Sequence, residues 1–239
     1  MLEGKKVIIF DLDGTLIDSV GMWNDVDEIL ISRLSNGKTK IPNIGQYRDK
    51  YLRKVNNSDI YMEYCKHLKE ITKSSLKPEA ILSLRHNISE YYEQNVIDYK
   101  KDADKVLHTL NNQGYKLVLA TTTTTKQLNS YQNYNKNMMK KARLNEIFSL
   151  ILSREDIIHQ KPNPEIHNKI LRQLNVTPTE CLIVEDSLIG VEAANNAGIE
   201  VAVIYDQNAD PDREKINIAS NYQFDNFTEF LHILTNKHK

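Results

Sequence analysis

The apolar run VIIF at 7 to 10, closed at once by carboxylates in DLDGT at 11 to 15, sets the pattern for the chain. VIIF has no internal period and is rich in β-branched residues, which suits a strand covered on both faces in a parallel sheet. Asp11 and Asp13 would point the same way if the extended geometry continues. Gly14 then lets the chain turn off the sheet, and Thr15 can place a hydroxyl on that turn. Next, Val20, Trp23, Val26, Leu30 and Leu34 recur at helical spacing, with Gly37 placed to close the helix. Residues 38 to 57 are polar and carry no readable period. Ser58 caps a second predicted helix bearing Ile60, Tyr61, Tyr64, Leu68 and Ile71. Pro78 opens a third, with Ile81, Leu84, Ile88, Tyr91 and Tyr92. No strand pattern interrupts residues 18 to 95, so that segment reads as a helical insertion.

From Ala103 the pattern changes. Val106, Leu107 and Leu110 mark a helix stopped by Gly114, and KLVLAT at 116 to 121 is a strand. A helix around 126 to 145 and a strand at 148 to 152 follow. Asn163 as N-cap and Pro164 in the first turn open a helix with Ile166, Ile170, Leu171 and Leu174. Strands at 181 to 185 and 200 to 205 flank a helix over 188 to 197 that Gly198 ends. Strands alternating with helices imply βαβ units around a parallel sheet, an α/β class in which ligands bind beyond the carboxyl ends of the strands.

At 239 residues the chain accommodates one large domain or a core with a smaller one. A formal net charge of −1 argues against nucleic acid or an anionic membrane as partner, and no stretch approaches a membrane span. Cys65 and Cys181 are far apart with no CxxC, so neither a disulfide framework nor a zinc site is indicated. A reduced, cytoplasmic setting and a small-molecule partner are the expectation.

Applied to these strands, the carboxyl-end rule collects Asp11 and Asp13, Thr121, Lys161, Glu185 and Asp186 at one edge. Carboxylates packed this closely repel unless a cation is present, and an all-oxygen set without imidazole or thiolate suits Mg2+. Each residue also has a plain structural explanation. Asp-x-Asp-Gly is a common turn signal, and a calcium loop is a further alternative, although its glycine falls at another position. Glu185, Asp186 and Ser187 suit a helix cap, Lys161 a solvated surface, and the threonine run 121 to 125 a turn after a strand. The shared order and the matching strand ends raise the set above its parts.

The set resembles the haloacid dehalogenase superfamily of phosphotransferases. Its four motifs match DLDGT at 11 to 15, the hydroxyl ending LVLAT, the lysine of KPNPEI, and EDSLIGVEAANNAG at 185 to 198. The resemblance spans nearly the whole chain. It implies a Rossmann-like parallel sheet core (1–17 and 96–239) with an inserted all-helical cap domain (18–95). It also implies a Mg2+-dependent phosphatase that hydrolyses a small phosphorylated metabolite through an aspartyl-phosphate intermediate. By that resemblance Asp11 is the nucleophile and Asp13 the general acid and base, its backbone carbonyl helping to hold Mg2+. Thr121, with backbone groups at Leu12 and Thr122, would bind the phosphoryl oxygens. Lys161 would neutralise charge between phosphate and nucleophile, while Asp186 with Glu185 would complete the metal site. A monomer or a weak homodimer is expected.

Asp13 narrows the chemistry, since dehalogenating members lack an acid there and those cleaving carbon to phosphorus bonds carry alanine. The cap is most similar to that of the β-phosphoglucomutase-like branch. Yet Trp23 stands about where the mutase has its cap histidine, and only Arg48, Arg53 and Lys54 offer substitutes, by type alone, for its arginine loop. Phosphatase therefore leads, with sugar phosphomutase as the runner-up. Candidate cap contacts are Trp23, Tyr47, Arg48, Tyr51 and Arg53, whose plain alternatives are core packing and a solvated face. Two other classes compete. A receiver-like phospho-acceptor is disfavoured by the order of its motifs and by its length, and a non-catalytic pseudoenzyme that binds a phospho-ligand by the intact Asp11, Asp13, Lys161 and Asp186.

Overall fold

The computed structural model describes residues 1–52 and 60–236. Ser58, the expected helix cap, and the candidates Arg53 and Lys54 lie outside the described residues. The chain divides into two compact units, one of residues 1–20 and 97–239, the other of residues 21–96.

The larger unit is built on a parallel sheet of β1 (Val7–Phe10), β2 (Lys116–Ala120), β3 (Leu150–Leu152), β4 (Cys181–Glu185), β5 (Glu200–Ile204) and β6 (Tyr222–Phe224). Their order across the sheet is β3-β2-β1-β4-β5-β6, the Rossmann arrangement. β1 is central, pairing Phe10 with Leu119 on one side and with Val184 on the other. The absence of a period in VIIF follows from this position, because all four residues are buried. Successive residues supply opposite layers of core. Val7, Ile9, Val118, Ala120, Ile183 and Val201 face one cluster with residues of α9 (Glu165–Leu174) and α10 (Leu188–Asn196). On the other side α5 (Ala103–Asn112) packs against β2 and against the helix Phe227–Thr235.

The two parts of this unit, far apart in sequence, are stitched together where they meet. Lys100 donates its backbone N–H to Leu16 O at 2.8 Å, and Asp18 donates to Asp98 O at 3.3 Å, around a bridge between Ile17 and Tyr99.

Several local expectations are corrected. Val20 lies ahead of the first helix, because Gly21 is its N-cap. The single helix expected over 126 to 145 is three: α6 (Thr125–Asn133), α7 (Met138–Lys141) and α8 (Leu144–Ile147). Asn135 causes the first break: it is fully buried, its side-chain oxygen accepts from the N–H groups of Asn137 and Met138, and its amide donates to Ile97 O at 2.9 Å. Asn163 acts as a cap, accepting from Glu165 N–H at 3.0 Å, although the residue bordering α9 is Pro164.

The smaller unit holds α1 (Met22–Leu34), α2 (Ile44–Leu52), α3 (Ile60–Thr72) and α4 (Pro78–Asn95). α2 arises from the stretch that carried no readable period. Val26, Leu30, Leu68, Ile81 and Ile88 are buried as their spacing predicts, but Tyr61 and Tyr91 are exposed, and Arg85 and Ser89 take buried places on α4 instead. Arg85 donates from Nε to Asp27 Oδ1 at 2.7 Å, Arg48 reaches Asp27 Oδ2 at 3.1 Å, and the Arg85 guanidinium lies 4.3 Å from the centre of the Trp23 ring. Tyr47 bonds His67 Nε2 at 2.5 Å, and the Tyr51 ring stacks on that imidazole. Trp23, Tyr47, Arg48 and Tyr51 thus all have partners inside this unit.

The Asp27 carboxylate is completely buried and the Arg85 side chain nearly so, and removing Arg85 leaves that carboxylate with the longer contact to Arg48 alone. Arg85→Met is expected to cost about 3–5 kcal/mol, and Asp27→Leu combined with Arg85→Met to recover most of that loss. Urea unfolding followed by fluorescence of Trp23, the single tryptophan, checks both.

Candidate active site

β1 lies where the connections reverse direction across the sheet, and the crevice beyond its carboxyl end is the expected ligand position. Asp11 leaves β1 there, pinned by its N–H to Val184 O at 3.0 Å, and Thr121 leaves β2 pinned to Leu152 O at 3.0 Å. Glu185 ends β4, and Asp186 follows it.

Lys161 joins the two sides. Its Nζ lies 2.7 Å from Asp11 Oδ1 and 2.6 Å from Glu185 Oε1, and all three side chains are largely or wholly buried. Glu185 Oε2 accepts from the N–H groups of Asp186 and Ser187 and from the Ser187 hydroxyl, at 2.9 to 3.1 Å. Ser187 in turn caps α10 by accepting from Gly190 N–H. The capping explanation and the cluster are therefore one construction. A Cβ at Gly190 would overlap the Glu185 carboxylate, so the helix approaches this closely only with glycine there.

Thr15 donates to Asp186 Oδ1 at 2.6 Å. Gly14, at φ +82°, makes the preceding turn, and a Cβ on it would fall 2.5 Å from Asp186 Oδ2. The turn after β1 is thereby built around the acid after β4. Asp11, Glu185 and Asp186 each place a carboxylate oxygen within 4.8 Å of the others. The side chain of Asp13 is held apart from this trio. Ser19 donates to its Oδ1 at 2.5 Å, Thr123 donates to its Oδ2, and Thr123 is itself bonded to Thr121 Oγ1 at 2.7 Å. Asp11 and Asp13 consequently have different partners, because the chain leaves extended geometry at once, Leu16 and Ile17 donating to Leu12 O.

Asp11, Asp13, Thr121, Thr122, Lys161, Glu185 and Asp186 line one cavity of about 320 Å³. Leu12 does not line it, its side chain being fully buried. Ser19 and Thr123, the partners of Asp13, were not singled out from sequence, although Thr123 sits in the noted threonine run. Asn208 and Asp212 also line the cavity. The carboxyl-end rule applied to β5 would have led to the stretch that contains them.

Burial pushes the Asp11 carboxyl up to about 7, with Glu185 and Asp13 adding to the rise and Lys161 opposing it. Asp186 is likewise raised, by burial and then by Glu185 and Asp11. Burial works against the Lys161 ammonium, but Asp11 and Glu185 more than offset it and hold its pKa above the ordinary lysine range. One ammonium does not balance three buried acids. The donor set fits a hard divalent cation that takes oxygen ligands.

His167, on α9, is fully buried and neither ring nitrogen has a partner. Burial, then the charge of Lys161, pushes its pKa down from 6.5 to about 3. The folded state therefore excludes a proton that the unfolded state accepts, and stability present above pH 6.5 is lost as pH falls toward 3. His167→Phe is expected to flatten that acid-side loss of melting temperature while leaving the value at pH 8 equal or higher. Thermal unfolding as a function of pH checks it.

The family model for haloacid dehalogenase-like hydrolases matches residues 8–204. A phosphoglycolate phosphatase of Aliivibrio fischeri (strain ATCC 700601 / ES114) is 26% identical over 201 residues, covering 83% of each protein. A pyrophosphatase PpaX of Bacillus thuringiensis (strain Al Hakam) is 28% identical over 200 residues, covering 83% of this chain and 82% of its own. Among solved structures, CbbY from Rhodobacter sphaeroides in complex with phosphate superposes with a TM-score of 0.66 at 22% identity, over 95% of this chain and 96% of that one, a likeness of fold. With most of its length matched by the family model, the chain belongs to the haloacid dehalogenase-like hydrolases.

Proposed function

We propose that this hydrolase is a Mg2+-dependent phosphatase that cleaves small phosphomonoesters through an aspartyl phosphate on Asp11. The observation that carries the reading is the buried ion pair of Asp11 with Lys161, set at the switch point of the sheet beside Glu185 and Asp186. The phosphatase names of its relatives support the same class of chemistry.

A carboxylate is a weak nucleophile and is repelled by a phosphate dianion. Lys161, next to Asp11 Oδ1, lowers that repulsion and orients the carboxylate for in-line attack. Thr121 and Thr122 reach the cavity where the transferring oxygens would lie. Asp13, steadied by Ser19 and Thr123, protonates the departing alkoxide oxygen and then takes a proton from the water that attacks the acyl phosphate. That second step releases inorganic phosphate and restores the Asp11 carboxylate. Asp11, Asp186 with Glu185, and the Asp13 carbonyl would hold Mg2+, which supplies charge neutralisation on the phosphoryl group when bound.

Release of phosphate from p-nitrophenyl phosphate is expected to require Mg2+ and to stop with EDTA. Asp11→Asn is expected to lower kcat by roughly 10³-fold or more, and Asp13→Asn by roughly 10²–10⁴-fold. Turnover that survives Asp11→Asn unchanged, in a variant that melts like the wild type, would overturn the reading.

A further inference from the structure

The threonine run after β2 contributes a residue that the cavity lining leaves out. Thr121 and Asp13 line the cavity, while Thr123 is buried and is not among the residues that line it. Its place is fixed by the backbone on both sides. The Thr123 N–H donates to Thr121 Oγ1 at 3.0 Å, its carbonyl accepts from Arg154 N–H at 3.1 Å, and Thr124, next in the chain, caps α6 by accepting from Gln127 N–H. The Thr123 hydroxyl is thereby set between Thr121 Oγ1, at 2.7 Å, and Asp13 Oδ2, to which it donates. With Ser19 donating to Oδ1 at 2.5 Å, each oxygen of Asp13 has a hydroxyl partner.

The chemistry of a hydroxyl decides what this arrangement can do. A group that hands over a proton and later takes one back changes from donor to acceptor. A partner able only to donate, or only to accept, would hold it in one form and release it in the other. A hydroxyl does both. When Asp13 is ionised, Thr123 gives its single proton to that bond and must itself accept from Thr121. When Oδ2 carries a proton, the same three oxygens bond in the opposite direction, with Asp13 donating to Thr123 and Thr123 to Thr121. Only the two hydroxyls turn, about their C–O bonds, and no threonine O–H bond breaks. Because Thr121 and Thr123 are both buried, bulk water does not replace either link.

We propose that Thr123 is a positioning residue, the middle link of a chain Thr121–Thr123–Asp13 that keeps Asp13 in one orientation both as the acid of the first step and as the base of the second. This rests on the phosphatase reading. It also ties Thr121, at the cavity wall, to the acid as well as to the phosphoryl group.

Steady-state kinetics of the full Mg2+-loaded chain on p-nitrophenyl phosphate test it. Thr123→Val, which removes the hydroxyl and keeps the branched shape, is expected to lower kcat by about 10- to 100-fold while KM moves by less than about twofold. Thr123→Ser is expected to recover most of that loss. In an Asp13→Asn background Thr123→Val is expected to cost less than about twofold more, because the residue acts through Asp13. Thr123→Ala removes the same hydroxyl and decides the question if Thr123→Val does not fold. An unchanged kcat, a loss confined to KM, no recovery in Thr123→Ser, or an undiminished loss in the Asp13→Asn background, each in variants that melt like the wild type, overturns the assignment. Wild-type protein that releases no phosphate with Mg2+ overturns the phosphatase reading itself, and this proposal with it.

Discussion

The arrangement at the head of the sheet depends on one buried ammonium. Lys161 lies between Asp11 and Glu185, carried there by the segment ahead of α9, and it links the strand ends on either side of the switch point. Without it, three buried carboxylates would face one another with no ammonium in contact with them. With it they are still undercompensated, which is why burial lifts Asp11 and Asp186 above the usual carboxylate range. That residual imbalance gives a divalent ion something to bind. The fixed lysine occupies Oδ1 of Asp11 and takes no bond to its other oxygen. Partial charge compensation and the fixed orientation of the Asp11 carboxylate thus come from the same lysine.

The surrounding framework makes close approach possible without strain. Gly14 and Gly190 remove the two Cβ atoms that would collide with Asp186 and Glu185, and Thr15 and Ser187 supply hydroxyl donors to those same acids. The acids of β4 are therefore held both by the turn after β1 and by the helix after β4. Asp13 stands in a separate environment, between two hydroxyl donors. Placing the two aspartates of one short motif in different surroundings is what the proposed division between a nucleophile and a proton carrier requires.

Much of this was legible in the sequence for a physical reason. In a parallel sheet the strands are unbroken apolar runs, and the first polar residue after each run marks the ligand edge. Reading the ends of VIIF, KLVLA and CLIV therefore collected residues that the structure brings to one cavity. Features set by long-range contacts were not legible. The helix break at Asn135 depends on a carbonyl at Ile97, and on α4 Arg85 and Ser89 are buried while Tyr91 is exposed. α2 was hidden because its segment is mostly polar and buries Ile44 at its start. Asp13's hydroxyl partners come from positions whose side-chain directions no periodicity encodes.

The central place of β1 bears on how the chain acquires its structure. VIIF is made before the strands that flank it, which begin only at Lys116 and Cys181. Until both have been made, the most apolar tetrapeptide of the core has neither backbone partners nor cover. Helices α1 to α4, whose contacts are local in sequence, face no such wait. A nascent chain halted before Cys181 would thus present an unpaired strand edge, and its safe passage through synthesis turns on how long that edge stays open.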